Sequence, residues 1–188
     1  MSFFIRVMMV CLSLVAVFLG VPPSRAESPN NRPASALLAA VVDRSGTVVG
    51  TISATQGPKG VLFKLRIAGL SPGWHGIHLH QVGTCTDWEE GFTASAGHIN
   101  PFATKHGLLN PMGDHLADLP NIHAGSDGIA VAEIYRPGIG INSQNPSEKV
   151  YGILDKDGFA VIVHENPDDH HTQPIGGAGA RVACAAFR

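Results

Sequence analysis

The sequence predicts an all-β protein, an eight-stranded sandwich or flattened barrel carrying two long functional loops. Three observations lead there: short runs of Val, Ile and Leu recur between turn signals, no helical period of any length appears, and most of the ten histidines fall in or beside two stretches lacking strand pattern. The chain is 44% hydrophobic and 15% charged, which fits one globular domain and excludes coiled coil, collagen and a disordered chain. A formal charge of −2 provides no electrostatic footprint for nucleic acid.

Residues 1–26 read as a signal peptide and stand apart from the fold. Arg6 supplies a positive start, residues 7–21 form the apolar run, and Ser24-Arg25-Ala26 offers small residues at a cleavage site after Ala26. The run is shorter than the roughly 20 residues that span a bilayer, and Pro22-Pro23 end it, so no membrane anchor is expected once the signal is gone. Export is therefore predicted, to the periplasm or as a secreted protein. Removing Arg6 and Arg25 leaves 11 basic and 15 acidic residues, a net charge of −4. Cys11 leaves with the signal, and in an oxidising compartment the remaining pair, Cys85 and Cys184, predicts a disulfide. Closing a loop of about 100 residues stabilises a fold by up to ~4.7 kcal/mol in the chain-entropy model.

Residues 27–35, rich in Pro, Asn and Ser, read as a flexible lead to a single domain over 36–188. Strands are expected at 36–43, 46–55 and 60–70, separated by Arg44-Ser45-Gly46 and by Gln56-Gly57-Pro58-Lys59-Gly60. Further strands are expected at 73–80, 128–135, 149–154, 159–165 and 181–187. The intervening loops, 81–127 and 166–180, are long for a compact domain, which marks them as functional.

His78-Leu79-His80 lies in a strand, where a period of two places both imidazoles on one face about 7 Å apart. Downstream, His98, His106, His115 and Asp118 are spaced eight, nine and three apart in one loop. Three imidazoles and a carboxylate make a closed tetrahedral set suited to a structural zinc, whose binding helps fold the loop. His164, at the end of Val161-Ile162-Val163, is placed to join the strand pair, and a set of imidazoles without carboxylate favours copper over calcium or magnesium.

Together the strand His-x-His, Gly97-His98-Ile99-Asn100-Pro101, Lys105-His106-Gly107, His115-x-x-Asp118, Val163-His164-Glu165 and the Gly-Gly-Ala-Gly-Ala-Arg-Val-Ala-Cys ending at Cys184 closely resemble copper/zinc superoxide dismutase of the exported bacterial kind. The resemblance spans roughly residues 36–187. It implies Greek-key strand connections and dismutation of superoxide to dioxygen and hydrogen peroxide. It assigns copper to His78, His80, His98 and His164, and zinc to His98, His106, His115 and Asp118, with His98 bridging the two. Asp168 matches the carboxylate linking a copper histidine to a zinc histidine, Cys85 and Cys184 match the family disulfide, and Arg181 matches the arginine at the mouth of the copper channel. Catalytic roles thus fall to Arg181, which would steer the anion, and to His98, which would couple proton and electron transfer.

Two departures bear on steering. Thr84 stands where relatives often carry an acidic residue or serine, and loop 166–180 carries Asp168 and Asp169 but no lysine. Steering then rests on Arg181, helped by His170 or His171 when protonated. A non-enzymatic relative that stores or delivers copper, or binds a partner, would have lost a copper ligand or the arginine, and neither is lost. A zinc hydrolase needs an open zinc position, which Asp118 closes. Monomer and homodimer both remain open. His75, on the opposite strand face from His78 and His80, reads as a hydrogen-bonded structural histidine, and His123 as solvated.

Overall fold

The computed structural model describes residues 36–142 and 150–188. The predicted signal, the lead and the first residue of the sixth expected strand, Lys149, lie outside the described residues. Eleven strands are present among them: β1 (Ala36–Asp43), β2 (Val48–Gln56), β3 (Gly60–Ile67), β4 (Gly73–His75), β5 (Ile77–His80), β6 (Ile122–Ala124), β7 (Ala130–Pro137), β8 (Ile139–Gly140), β9 (Tyr151–Gly152), β10 (Phe159–His164) and β11 (Arg181–Phe187). A single 3₁₀ turn, Thr93–Ser95, is the one helical element described.

Nine strands form one antiparallel sheet in the order β4-β6-β7-β3-β2-β1-β11-β10-β5. Its two edges, β4 and β5, are separated in the chain by Gly76 alone, so the sheet curls until its ends meet in a nearly closed barrel. The first three strands form a meander. β5 then crosses to pair with β10, and β7 returns to pair with β3, which is the Greek-key path.

Alternation sorts the residues. Val41, Ile52, Phe63, Leu65, Ile77, Leu79, Val161, Val163, Ala183 and Ala185 point into the barrel core. Phe92, Ala160, Ile162 and Cys184 form a second buried cluster with Trp88 and Cys85 packed against it. Thus β5 and β10 are buried on both faces: one meets the barrel interior, the other is covered by the long loops.

Local chemistry explains the strand ends. The β1–β2 turn is held by Asp43 Oδ1, which accepts from Ser45 N at 2.8 Å and Thr47 N at 3.0 Å, so β2 starts two residues later than expected. The expected strand 73–80 is split at Gly76, whose N–H donates to Asn166 O at 2.8 Å and whose carbonyl accepts from His164 N at 2.8 Å. A Cβ at Gly76 would press on Ala178 Cβ at 3.0 Å. If β4 and β5 are taken as one interrupted run, eight runs line the barrel, with β6 in place of the expected strand 149–154. Among the described residues of that sixth strand only β9 forms, paired in parallel with β8 outside the barrel. Cys85 and Cys184 are bonded, with Cα atoms 5.7 Å apart across 99 residues.

Candidate metal centre

The site is built on the outer face of β5 and β10. Because Ile77 and Leu79 enter the core, His78 and His80 must face outward, opposite Ile162 and Ala160 of β10. His164 follows on the same face as those two, where the register with β11 shifts between Val163 and His164. Such irregularities re-aim side chains beside functional sites. The loops then cover this face, leaving His78, His80 and His164 no more than 1% exposed.

Each of these three rings has one nitrogen tied and the other untied. His78 Nε2 donates to Asp168 Oδ2 at 2.8 Å, His80 Nδ1 to Ala96 O at 2.8 Å and His164 Nδ1 to Gly179 O at 3.0 Å. Those bonds fix the tautomers and leave lone pairs on His78 Nδ1, His80 Nε2 and His164 Nε2. All three atoms are buried without a hydrogen-bond partner, as is His98 Nε2. A buried polar atom without a partner costs about 1–3 kcal/mol, and one cation bound by these lone pairs would satisfy them together. His78, His98 and His164 offer nitrogens within 4.8 Å of one another; His80 falls outside that mutual distance, with its ring 5.2 Å from His98.

His98 Nδ1 faces a second set. It lies 3.1 Å from His115 Nδ1 and 3.4 Å from Asp118 Oδ1, while His106 Nδ1 lies 2.9 Å and His115 Nδ1 3.7 Å from the same oxygen. A tetrahedral ion with ligands at about 2.0–2.1 Å sets its ligand atoms about 3.3 Å apart, so the four atoms fit zinc. The supporting bonds again point the donors. His115 Nε2 donates to Thr104 O at 3.1 Å, His106 Nε2 to Asp168 Oδ1 at 3.1 Å, and Asp118 Oδ2 accepts from Gly107 N at 2.8 Å and His115 N at 3.0 Å.

Asp168 joins the two sets through His78 and His106. Asn121 fixes it, accepting from Asp168 N at 2.9 Å and donating to Asp168 O at 2.8 Å. Gly176 is required beside it, since φ is +62° there and a Cβ would overlap Asp168 Oδ1.

Titration follows burial and charge. Burial pushes His78 down to about 4 and His164 to about 3, with neighbouring histidines adding to the effect at His164, and it holds His80 well below the usual range. His106 goes the other way: burial disfavours its charge, yet the carboxylates of Asp118 and Asp168 outweigh that and raise it to about 9. Burial opposes ionisation of Asp118 and Asp168, but His106 and their other hydrogen-bond partners hold both far below the ordinary carboxylate range.

A cleft of about 540 Å³ opens onto His80, His98 and His164, and Arg181 is the one lysine or arginine among its lining residues, with Pro174 and Ile175 on the wall. Arg181 donates through Nη1 to Phe92 O at 2.6 Å and Ser95 Oγ at 3.1 Å, and through Nη2 to Ala96 O at 2.9 Å. Phe92 and Ala96 both have positive φ, 58° and 63°, an uncommon conformation concentrated at functional sites. Ala96 O thus serves Arg181 and His80 together. His170 and His171, expected to assist steering, do not line this cleft. His170 turns toward Asp168, its Nδ1 3.5 Å from Oδ2. His75 is buried as expected, its ring nitrogens against His164 O at 2.7 Å and Ser71 O at 2.8 Å, and His123 is exposed with its ring against Trp74.

Asn121, Ala96, Thr104 and Arg136, which support these rings and loops, were not expected from the sequence. Their roles arise from partners distant in the chain or from backbone carbonyls, which no motif encodes.

Comparison with known proteins agrees with this geometry. The family model for copper/zinc superoxide dismutase (SODC) matches residues 48–187. The chain is 46% identical over 144 residues to superoxide dismutase [Cu-Zn] of Caulobacter vibrioides, covering 76% of this chain and 80% of that one. It resembles the crystal structure of a SOD-like protein from Bacillus subtilis with TM-score 0.73 and 35% identity, over 80% of this chain and 97% of that one. Cu/Zn superoxide dismutase from Brucella abortus gives TM-score 0.62 and 28% identity over 82% and 100%. With its nearly closed Greek-key barrel and its two adjoining sets of donor atoms, the chain belongs to the copper/zinc superoxide dismutase family.

Proposed function

We propose that this protein is an oxidoreductase that dismutes superoxide, converting two superoxide anions and two protons into dioxygen and hydrogen peroxide. His78, His80, His98 and His164 are the copper ligands and His98, His106, His115 and Asp118 the zinc ligands. The observation that carries this reading is a set of four buried, unpartnered ring nitrogens, on His78, His80, His98 and His164, with the first, third and fourth of these residues close enough to share an ion and with His98 Nδ1 facing a second donor set. Copper bound there supplies the one-electron redox chemistry, and zinc supplies a fixed charge that holds the shared imidazole.

The residues divide the remaining work. Arg181 attracts the anion into the cleft and orients it. His98 Nε2 is the ring nitrogen that would hold a proton for the second superoxide, so that one imidazole would couple proton to electron transfer. Asp168 keeps His78 and His106 in single tautomers and couples the two sets. This reading also takes residues 1–26 as an export signal, 27–35 as the lead, and the periplasm or the exterior as the place of action. Among the described residues no helix is long and apolar enough to cross a membrane.

His80→Ala tests the assignment. The variant should lose dismutation, measured as superoxide decay, while keeping zinc and the folded barrel. Near-normal activity would overturn the copper assignment.

A further inference from the structure

Arg136 belongs to neither donor set, yet its side chain reaches from the barrel to the zinc loop. It lies near the end of β7, with its side chain 12% exposed. Nε donates to Leu116 O at 3.1 Å and Nη2 to His115 O at 3.0 Å, and Nη2 pairs with Asp114 Oδ2 at 2.5 Å. His115 O also accepts from Asp118 N at 3.1 Å, and Asp118 Oδ2 takes back His115 N at 3.0 Å. The turn presenting both His115 Nδ1 and Asp118 Oδ1 is therefore a small closed ring, and Arg136 grips it from outside.

The same guanidinium also reaches the imidazole. Asp114, its ionic partner, accepts from Thr104 Oγ1 at 2.7 Å through its carbonyl, and Thr104 O in turn receives His115 Nε2 at 3.1 Å. Backbone and ring of His115 are thus referred to one rigid strand. A planar fork can meet two successive carbonyls and a carboxylate together; an ammonium on a flexible stem cannot. Asp114 cancels the guanidinium charge, so the grip adds no net repulsion against an incoming dication.

We infer that Arg136 is a positioning residue for zinc, a clamp from the barrel that holds the His115–Asp118 turn in its ion-receiving shape. This rests on the zinc assignment proposed above. The test compares wild type with Arg136→Gln and Arg136→Lys, stripped of metal with the disulfide intact. Zn²⁺ affinity is measured by chelator competition, and Co²⁺ placed in the zinc set reports geometry through its visible tetrahedral bands. Both variants should bind Zn²⁺ about 10- to 100-fold more weakly, the range seen when supporting partners of ligands are removed, and their cobalt bands should weaken or shift. Should Arg136→Gln fail to fold, Arg136→Lys carries the test, since it keeps a charge beside Asp114. Affinity within about twofold of wild type with unchanged cobalt bands would overturn the clamp. So would full rescue by lysine, which would reduce Arg136 to a charge partner of Asp114. A wild type without tetrahedral cobalt bands would overturn the zinc assignment itself, and the clamp with it.

Discussion

A histidine becomes a metal ligand when one of its nitrogens is occupied and the other is not, and in this molecule the occupying partner is named for nearly every ring. That arrangement separates the two sets by charge. His78, His80 and His164 are neutral at pH 7 because burial disfavours their protonated forms, so a metal displaces no proton from them. His106, raised to about 9 against an ordinary 6.5, holds a proton at pH 7 that zinc must displace. In the metal-free protein its contribution to stability is therefore full below about 6.5 and is lost as pH rises through about 9. Asp118 and Asp168 behave oppositely: their contribution is present above the ordinary carboxylate value and is lost on acidification. Zinc affinity should rise about tenfold per pH unit between 7 and 9, with a proton released from His106 on binding at pH 7. Competition titrations at several pH values check this; a flat zinc profile contradicts it.

At the level of elements, a barrel face becomes a site because two loops seal it. The disulfide ties loop 81–97 to β11, and that loop carries the three acceptors of Arg181: Phe92 O, Ser95 Oγ and Ala96 O. Cys85→Ser combined with Cys184→Ser should cost about 2–5 kcal/mol of stability. It should also lower the dismutation rate at low salt in protein that still holds both metals, because Arg181 loses its fixed position; an unchanged rate would show that the loop is held without the bridge. Much of this level was legible. Alternation in His78-Leu79-His80 marked which face the pair takes, and the run 181–187 matches β11. β6 was not legible, because Ile122-His123-Ala124 is too short to show a period and is a strand only through pairing with β4 and β7. Nor was the inward turn of His170, which follows from positive φ and from Asp168 and Asn121 beside it. Arg136 falls just past the expected strand 128–135, and its reach to His115 appears only once the loop folds back across β7.

The whole molecule sets a negative protein against a negative substrate. The chain carries a formal net charge of −2, and −4 on the proposed reading of residues 1–26 as a cleaved signal, so on the proposed function the approach of superoxide would depend on the local field of Arg181 at the cleft. Attraction between a fixed cation and a univalent anion is screened over a Debye length of about 10 Å at 0.1 M salt. The wild-type rate should then fall as ionic strength rises. Arg181→Ala should be slower and flatter in salt, and Arg181→Glu slower still and partly restored by salt, each with unchanged metal content. A wild-type rate and salt slope in the Glu variant would remove Arg181 from steering. On the proposed function, dismutation belongs to copper in the four-histidine set. Titrating Cu²⁺ into zinc-loaded protein while following superoxide decay tests this most directly. Activity should climb linearly and break at about one copper per chain, the stoichiometry of a single four-ligand set; activity with zinc alone, or none at full copper loading, would rule out copper dismutation at this set.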